Sequence, residues 1–514
     1  KQKRYIKEWQ KLAHSRMATA LIPFPKIKGG KTAMYNKHKF VLEMEKLRQE
    51  QVTMLPDYLA DFIKNNYNAS EMPLFDDNIK ASEEIIAAVD IPQHGRDFKE
   101  VLDELVEHVL KHTMTIRHPR FFSFVTSTAL PYSLAGSVLT DIYNPNGGGY
   151  QLAPMCCQIE EKLVKWMGSL AGYPQDSCSG VFTSGGSMSN LTGMIAARNR
   201  FLDEMEYPIG VAYLSDQAHS SVAKGLRLMG LRQDQIIKIP TDDVFKMRMD
   251  LLEEHIKKDI EEGKKPFLVV GSMGTTNTGS IDPLSEIGAL CKQYGMWFHV
   301  DGAYGGSILI SDIYRNYAKG IELSDSFSWD THKWLGQTYS CSTIIVRDKV
   351  TLLDVFSEHP EYLEDIRDSE HNDPWDLGPE LSRPHRSLKL WVTLQAMGTD
   401  KLTDIVDYAF LNARTANKCL RSLPNWEITS PPMCGAITFR FAPPGFSEEE
   451  LNELNGNISE KIIRDDYAYI VTSVVKNKRV LRMCMINGNA TTEDVIDTIN
   501  YLDRIANELV SLPI

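Results

Sequence analysis

The sequence has no uninterrupted apolar run close to the roughly 20 residues needed to cross a bilayer, so no spanning segment and no membrane partner are expected. It contains no CxxC pair and no Cys/His spacing of a zinc site, and no metal is expected. The eight cysteines are scattered, with only Cys156 and Cys157 adjacent, which reads as free thiols in a reducing, cytoplasmic compartment. Positive charge is not in excess. The net charge of -12 disfavours non-specific contact with nucleic acid or anionic membrane. The opening "KQKRYIKEWQKLAHSR" is basic without the apolar core of a secretory signal, so nothing in it points to export. Residues 1–31 hold nine Lys/Arg against the single acid Glu8, a run that reads as a solvated arm. Internal repeats and low-complexity segments are also missing.

What is present is ordinary for a soluble globular protein, with 43% hydrophobic and 24% charged residues in 514. The chain changes texture three times. After a basic extension over 1–36, residues 37–128 read as helical, as in "FKEVLDELVEHVLKHT", with apolar residues at i, i+3, i+4 spacing. Over 129–386, short apolar runs alternate with longer helical ones: "GVFTS", "GVAYLS", "FLVVGSMG", "WFHVDGAY", "SFSW" and "STIIVR". That alternation predicts an α/β domain, a mainly parallel sheet with helices on both faces. Residues 387–514 return to helices broken by "AITFRF", "AYIVTSVV" and "RVLRMCMI", as in a small α+β domain. The segment 357–385 is polar, Pro-rich and without period, which marks a mobile or functional connection rather than an idle one.

Ligands of open α/β sheets collect where strands end. After "GVF" comes "TSGGSMSN", where Gly185 and Gly186 allow close approach and Ser187 stands at a helix N-terminus, a natural phosphate cup. No Gly-Lys-Ser/Thr follows, so this is not the loop of an ATP- or GTP-hydrolysing enzyme. His219 follows "VAYLS"; Thr275, Thr276 and Asp282 follow "FLVVGSMG"; Asp301, Gly302 and Ala303 follow "WFHV"; Lys333 lies in "SWDTHKWLG". A phosphate cup, a slot lined by small residues, an acid, a histidine and a lysine are the parts pyridoxal phosphate requires. Its phosphate needs N–H donors, its pyridine nitrogen a carboxylate, and its aldehyde an amine to condense with.

The motifs "HPRFFSF", "SDQAHSSVAKG", "MGTTNTGSIDPL", "WFHVDGAYGGS", "DTHKWL" and "RSLKLW" resemble the group II pyridoxal-phosphate decarboxylases. Among them the sequence is most similar to aromatic L-amino-acid decarboxylases, bacterial tryptophan decarboxylases in particular, from about Arg96 to the C-terminus. The resemblance implies a fold-type I (aspartate aminotransferase-like) homodimer with a seven-stranded sheet, a helical dimerisation segment over 37–128, and sites at the subunit interface. It implies that Lys333 holds the cofactor aldehyde, Asp301 pairs with the ring nitrogen, and His219 and Ala303 flank the ring. Gly185, Gly186 and Ser187 would take the phosphate, Thr276 would sit near His219, and His332 beside the lysine. Tyr362, in "HPEYLED", matches a loop tyrosine that protonates Cα after carbon dioxide leaves. Phe121, Phe124, Thr126, Asn146, Leu152 and Trp375 fall by the same resemblance on the substrate side, with Asn144–Leu152 reaching in from the partner subunit. Thr126 stands where relatives carry proline, Asn146 near a histidine of tryptophan decarboxylases, and Asp330 at a polar position near the phosphate.

The reaction implied is that of a carboxy-lyase: an aromatic L-amino acid to its arylalkylamine and carbon dioxide. No Lys or Arg falls among the substrate-side positions, which disfavours glutamate and favours an indole or phenyl side chain. Tryptophan, phenylalanine, tyrosine and dihydroxyphenylalanine all remain open. Two rivals share the ancestry. An aminotransferase would use Arg482, in "RVLRMCMI", to grip a carboxylate; a domain-packing ion pair is the alternative reading of that residue. An aldehyde synthase would be expected to lack Tyr362.

Overall fold

The computed structural model describes residues 37–66, 68–76, 78–358 and 371–511. Tyr362 and the basic extension 1–36 lie outside the described residues. Two units are distinguished, one ending at Asn68 and the other running from Ala69. The first contains the helix Lys37–Asn66, which admits Pro56 in its interior and leaves Val41, Leu42 and Leu47 about half exposed.

The second unit holds two sheets. Seven strands form the larger: β1 (Ser179–Thr183), β2 (Gly210–Ser215), β3 (Ile236–Ile239), β4 (Lys265–Ser272), β5 (Trp297–Asp301), β6 (Ser326–Asp330) and β7 (Ser342–Val346). Their spatial order is β1-β7-β6-β5-β4-β2-β3. Strands β3, β2, β4, β5 and β6 run parallel, while β7 is antiparallel to both neighbours. Side chains alternate between two cores as a period of two requires. Val211, Tyr213, Val269, Phe298, Val300 and Phe327 face one core, and Ala212, Leu214, Leu268, Val270 and Ile344 the other. Burial on both faces explains why these strands read as continuous apolar runs.

Register brings three strand ends together. Ser272 of β4 pairs with Asp301 of β5, and Asp301 with Ser328 of β6, so the carboxyl ends of three parallel strands form one ledge.

The smaller sheet has β8 (Trp426–Met433), β9 (Ala436–Phe441), β10 (Thr472–Val475) and β11 (Lys478–Cys484), antiparallel in the order β10-β11-β9-β8. Its Ile437, Phe439, Leu481 and Met483 share a core with the larger sheet. Two strands escaped the sequence reading. β3 is only four residues long, and β8 carries Pro431 and Pro432, which argue against a strand. The prolines are tolerated because β8 is an edge strand. The helical texture expected to Thr128 ends near His112; beyond it Phe122 hydrogen-bonds the chain at Tyr469 and Cys484, beside the smaller sheet.

A buried polar clasp fixes residues far apart in sequence. Glu160, 3% exposed, accepts from Phe182 N–H (3.0 Å), Arg383 Nη2 (2.7 Å) and Ser387 Oγ (3.3 Å). Arg383 also donates to the carbonyls of Gly147 (2.9 Å) and Phe182 (2.8 Å). Burial is the largest influence on Glu160 and acts to raise its pKa. The Arg383 charge and the hydrogen bonds outweigh it, leaving the carboxyl at about 2 instead of 4.5. A carboxyl depressed by folding stabilises the native state above its ordinary pKa and loses that contribution as pH falls through the folded value. Glu160→Gln should therefore destabilise by about 3–5 kcal/mol at neutral pH, because Arg383 stays buried without its counter-charge. Urea unfolding at fixed protein concentration measures this. The gap between wild type and variant should close as pH drops from 4.5 toward about 2.

Candidate active site

Strands β5 and β6 each end on a carboxylate, and the turn after β6 returns a lysine to them. Lys333 Nζ lies 3.0 Å from Asp330 Oδ2. Burial is the largest influence on the amine and pulls its pKa down; Asp330, then Asp301, outweigh it, and the pKa ends above its ordinary value. Lys333 is thus a cation held between two acids. Asp301 Oδ1 accepts from Ala303 N–H (3.2 Å) and Ser328 Oγ (3.3 Å), which fixes the carboxylate at the ledge.

These groups open onto a cavity of about 330 Å³. The helix Gly186–Phe201 points its N-terminus into it, and Ser184, Gly185, Gly186 and Ser187 form that wall. The N–H groups of Gly186 and Ser187 stand ahead of the first intrahelical bonds, so they and the helix dipole favour an anion. Glycine is required at 186 by close approach: a Cβ there would lie 2.6 Å from Asp330 Oδ2 and 3.0 Å from Ala303 Cβ.

His219 caps the helix Ser220–Leu228, its Nδ1 accepting from Ser221 N–H (3.3 Å). In the neutral ring the proton is then on Nε2. Thr275 ties its own loop through Thr278 (2.8 Å) and Ser280 (2.9 Å), and leaves Thr276 on the cavity wall. Asp282 serves that loop from below, accepting from Ser272 N–H (2.7 Å) and Met247 N–H (2.8 Å); burial pushes its pKa up to about 6. His332 donates from Nδ1 to the carbonyl of Cys341 (3.0 Å), and burial lowers its pKa, which keeps it neutral.

The structure therefore gathers Gly185, Gly186, Ser187, His219, Thr276, Asp301, Ala303, His332 and Lys333 around one cavity. It does not bring the substrate-side candidates to those walls. Phe121, 2% exposed, stacks on Tyr469 at 5.1 Å as a packing residue, where a wall position was expected. Phe124 is the exposed ring of that run, at 45%. Thr126 buries its hydroxyl without a hydrogen-bond partner. Asn146 is tied to Gly148 N–H (2.9 Å), Leu152 is exposed, and Trp375 packs over Gly148 and Gly149. These last three belong to a separate patch. Arg482 makes no ion pair among the described residues, contrary to the packing role weighed above. It donates to the Phe124 carbonyl (2.8 Å), and its buried Nε and Nη2 have no hydrogen-bond partner.

Sequence reasoning missed Asn190, Tyr304 and Tyr339 on the cavity wall. Asn190 Oδ1 accepts from His299 Nε2 (3.0 Å), whose Nδ1 meets Ser326 Oγ (2.7 Å), which in turn accepts from Trp297 Nε1 (2.9 Å). Burial holds His299 at about 3, so this chain stays neutral and turns the Asn190 amide N–H groups away from His299. The available signal was the histidine two residues before Asp301, on the same strand face.

Comparison with known proteins gives a consistent picture. The profile described as "Pyridoxal-dependent decarboxylase conserved domain" matches residues 82–442. The chain is 34% identical to an aromatic-L-amino-acid decarboxylase of Bacillus atrophaeus over 430 residues, covering 82% of this chain and 88% of that protein. It is 28% identical to a phenylacetaldehyde synthase of Arabidopsis thaliana, covering 88% and 94%. Among solved structures, Oryza sativa TDC with PLP and tryptamine superposes with a TM-score of 0.83 at 24% identity, covering 93% of this chain and 100% of that one, a likeness of fold. Mouse CSAD gives 0.81 at 26%, covering 88% and 98%.

The anion cup can be tested without turnover. Gly186→Ala should weaken binding of inorganic phosphate, read by calorimetry, by about tenfold or more, the loss of at least one charge-assisted hydrogen bond. Undiminished phosphate binding would place the cup elsewhere.

Proposed function

Because the chain belongs to the pyridoxal-dependent decarboxylase family, with pyridoxal phosphate as its cofactor, we propose that it decarboxylates aromatic L-amino acids. Tryptophan and phenylalanine are the favoured substrates, and tryptamine or phenethylamine with carbon dioxide the products. The observation that carries the reading is the cation between two acids, Lys333 between Asp330 and Asp301, in a cavity that also holds a helix N-terminus. The residues fit the cofactor. Gly186 leaves a cradle that a Cβ would fill, and its N–H donors suit a phosphate. Asp301 keeps Oδ2 for a protonated ring nitrogen while Oδ1 is committed to Ala303 and Ser328.

Bound pyridoxal phosphate supplies a cationic ring that accepts the electron pair left at Cα when carbon dioxide departs. The chain's own residues do the rest. Lys333 would offer the amine that holds the cofactor aldehyde. Asp301 preserves the ring proton. His219 and Ala303, which line the same cavity, would bound the ring on its two sides, and Thr276 and His332 would lie at its edge. Tyr362, which follows the helix Val350–Phe356 in the sequence, would deliver a proton to Cα.

We place the substrate side chain near Phe124 and Thr126, with Asn146, Leu152 and Trp375 contributed by the partner subunit of a homodimer. Support for the dimer comes from apolar side chains left open on three helices: Ile86 (42%), Leu105 (43%), and on Pro131–Tyr143, Leu139 (56%) and Ile142 (72%). A reducing cytoplasm is the proposed compartment, in keeping with eight unpaired cysteines. Transamination is kept as a second reading because Arg482 has unpaired buried nitrogens on the residue that holds Phe124. Oxidation to aldehyde is kept because an Arabidopsis thaliana relative is a phenylacetaldehyde synthase.

One assay separates the three. Protein supplied with pyridoxal phosphate and each of the four aromatic amino acids in air should yield amine and carbon dioxide in equal amounts. Keto acid as the main product would make it an aminotransferase; aldehyde with peroxide would make it an aldehyde synthase.

Tyr362→Phe supplies the second test. Carbon dioxide release should persist while products shift from amine toward aldehyde, ammonia and peroxide, since oxygen can reach a carbanion left without its acid. An unchanged product ratio removes Tyr362 from the proton transfer.

A further inference from the structure

Asp330 has so far served only as the ion-pair partner of Lys333. It ends β6, is 2% exposed, and presses its carboxylate against the first turn of the helix Gly186–Phe201. A Cβ on Gly186 would meet Oδ2 at 2.6 Å and Oδ1 at 2.9 Å. Oδ2 is 3.0 Å from Lys333 Nζ, whereas Oδ1 is buried without a hydrogen-bond partner. An orphaned carboxylate oxygen at the mouth of an anion cup has the wrong charge for a phosphate. The two would meet oxygen to oxygen with no proton between them.

The groups facing Asp330 limit how that conflict is resolved. Lys333 and His332 face it from the turn after β6, with His332 Nε2 at 3.9 Å from Oδ2. Asp301 acts on the shared lysine from β5, and Tyr339 feels the Asp330 charge from the loop before β7. His219 lines the cavity from its far helix. The helix Gly186–Phe201 carries no acid in its first turn and contributes N–H groups. Lys333 is thus the cation that balances Asp330, and it is the same amine the cofactor aldehyde engages.

We propose that Asp330 makes the cup accept its phosphate together with one proton. The phosphate ester is that of pyridoxal phosphate, and to that extent the inference rests on the function proposed above. Asp330 carboxylate, a phosphate dianion and one proton from solvent form a single O–H···O bond between Asp330 Oδ1 and a phosphate oxygen. No bond to phosphorus forms or breaks, and the proton added balances one negative charge. Neighbouring N–H groups of Gly186 and Ser187 complete the shell. Affinity for the dianion should then fall by about tenfold per pH unit, wherever one extra proton is bound in the complex.

The test uses the cofactor-stripped full chain and two probes, inorganic phosphate and pyridoxine 5′-phosphate, which has no aldehyde to condense with Lys333. Calorimetry in buffers of different ionisation enthalpy counts the protons taken up, above the second ionisation of the ester near pH 6. Wild type should take up about one proton more than Asp330→Asn, and the variant should bind tighter at alkaline pH by about tenfold or more. Asp330→Ser, which removes the charge and the bulk together, should change the proton count in the same direction. Equal proton counts in wild type and both variants would falsify the inference. If pyridoxal phosphate itself binds and supports turnover while the counts are equal, the proposed function stands and the proton coupling falls. If proton-coupled phosphate binding is found but pyridoxal phosphate never attaches to Lys333, the coupling stands and the proposed function falls.

Discussion

A lysine ammonium within 3.0 Å of one carboxylate and within electrostatic reach of a second sets the terms for the rest of the molecule. Two acids around one base leave a negative charge to be balanced in a place largely removed from water, and an isolated buried charge is costly unless paired or hydrogen-bonded. Two features of the fold meet that demand. Asp301 commits one oxygen to Ala303 N–H and Ser328 Oγ, and Asp330 lies against the positive end of a helix. The cavity then offers the remaining space to a ligand with both a cationic and an anionic end.

The sheet exists in this form to hold those two strand ends at fixed separation. Parallel β4, β5 and β6 align Ser272, Asp301 and Ser328, and β7 runs back beside β6 so that Asp330 pairs with Ser342. Beneath the ledge, Trp297, Ser326, His299 and Asn190 form a neutral hydrogen-bonded chain that adds no charge to an already acidic site. Farther away, Glu160 and Arg383 pin the glycine run at Gly147 to β1. Catalytic geometry and stability draw on separate ion pairs.

Much of this was legible in the sequence because parallel strands buried on both faces give uninterrupted apolar runs. The residue after each run then falls at the ligand edge of the sheet. Reading the residues that follow each run singled out Asp301, Lys333, His219 and Gly186, which the fold brings to one cavity, and the family resemblance implied their roles. The rule fails where strands are short or at an edge, as with "IIKI" in β3 and the proline-bearing β8. It fails too for residues reached from a helix face, such as Asn190, which lies one turn beyond Gly186. Phe121 misled because adjacent aromatic residues carry no periodicity; its ring turns to Tyr469, which is 348 residues away. The Glu160–Arg383 pair, separated by 223 residues, left no local signal.

The proposed chemistry depends on Asp301 as the partner of a protonated ring nitrogen, and replacing it by asparagine tests that most directly. Asp301→Asn removes the charge and keeps the shape. Pyridoxal phosphate should still attach to Lys333, with affinity reduced by no more than about tenfold. Amine formation should drop by about a hundredfold to a thousandfold, equivalent to two or three pKa units of lost stabilisation of the ring proton. Amine formation at the wild-type rate by a variant fully loaded with cofactor would contradict the assignment of Asp301, and with it the site as described.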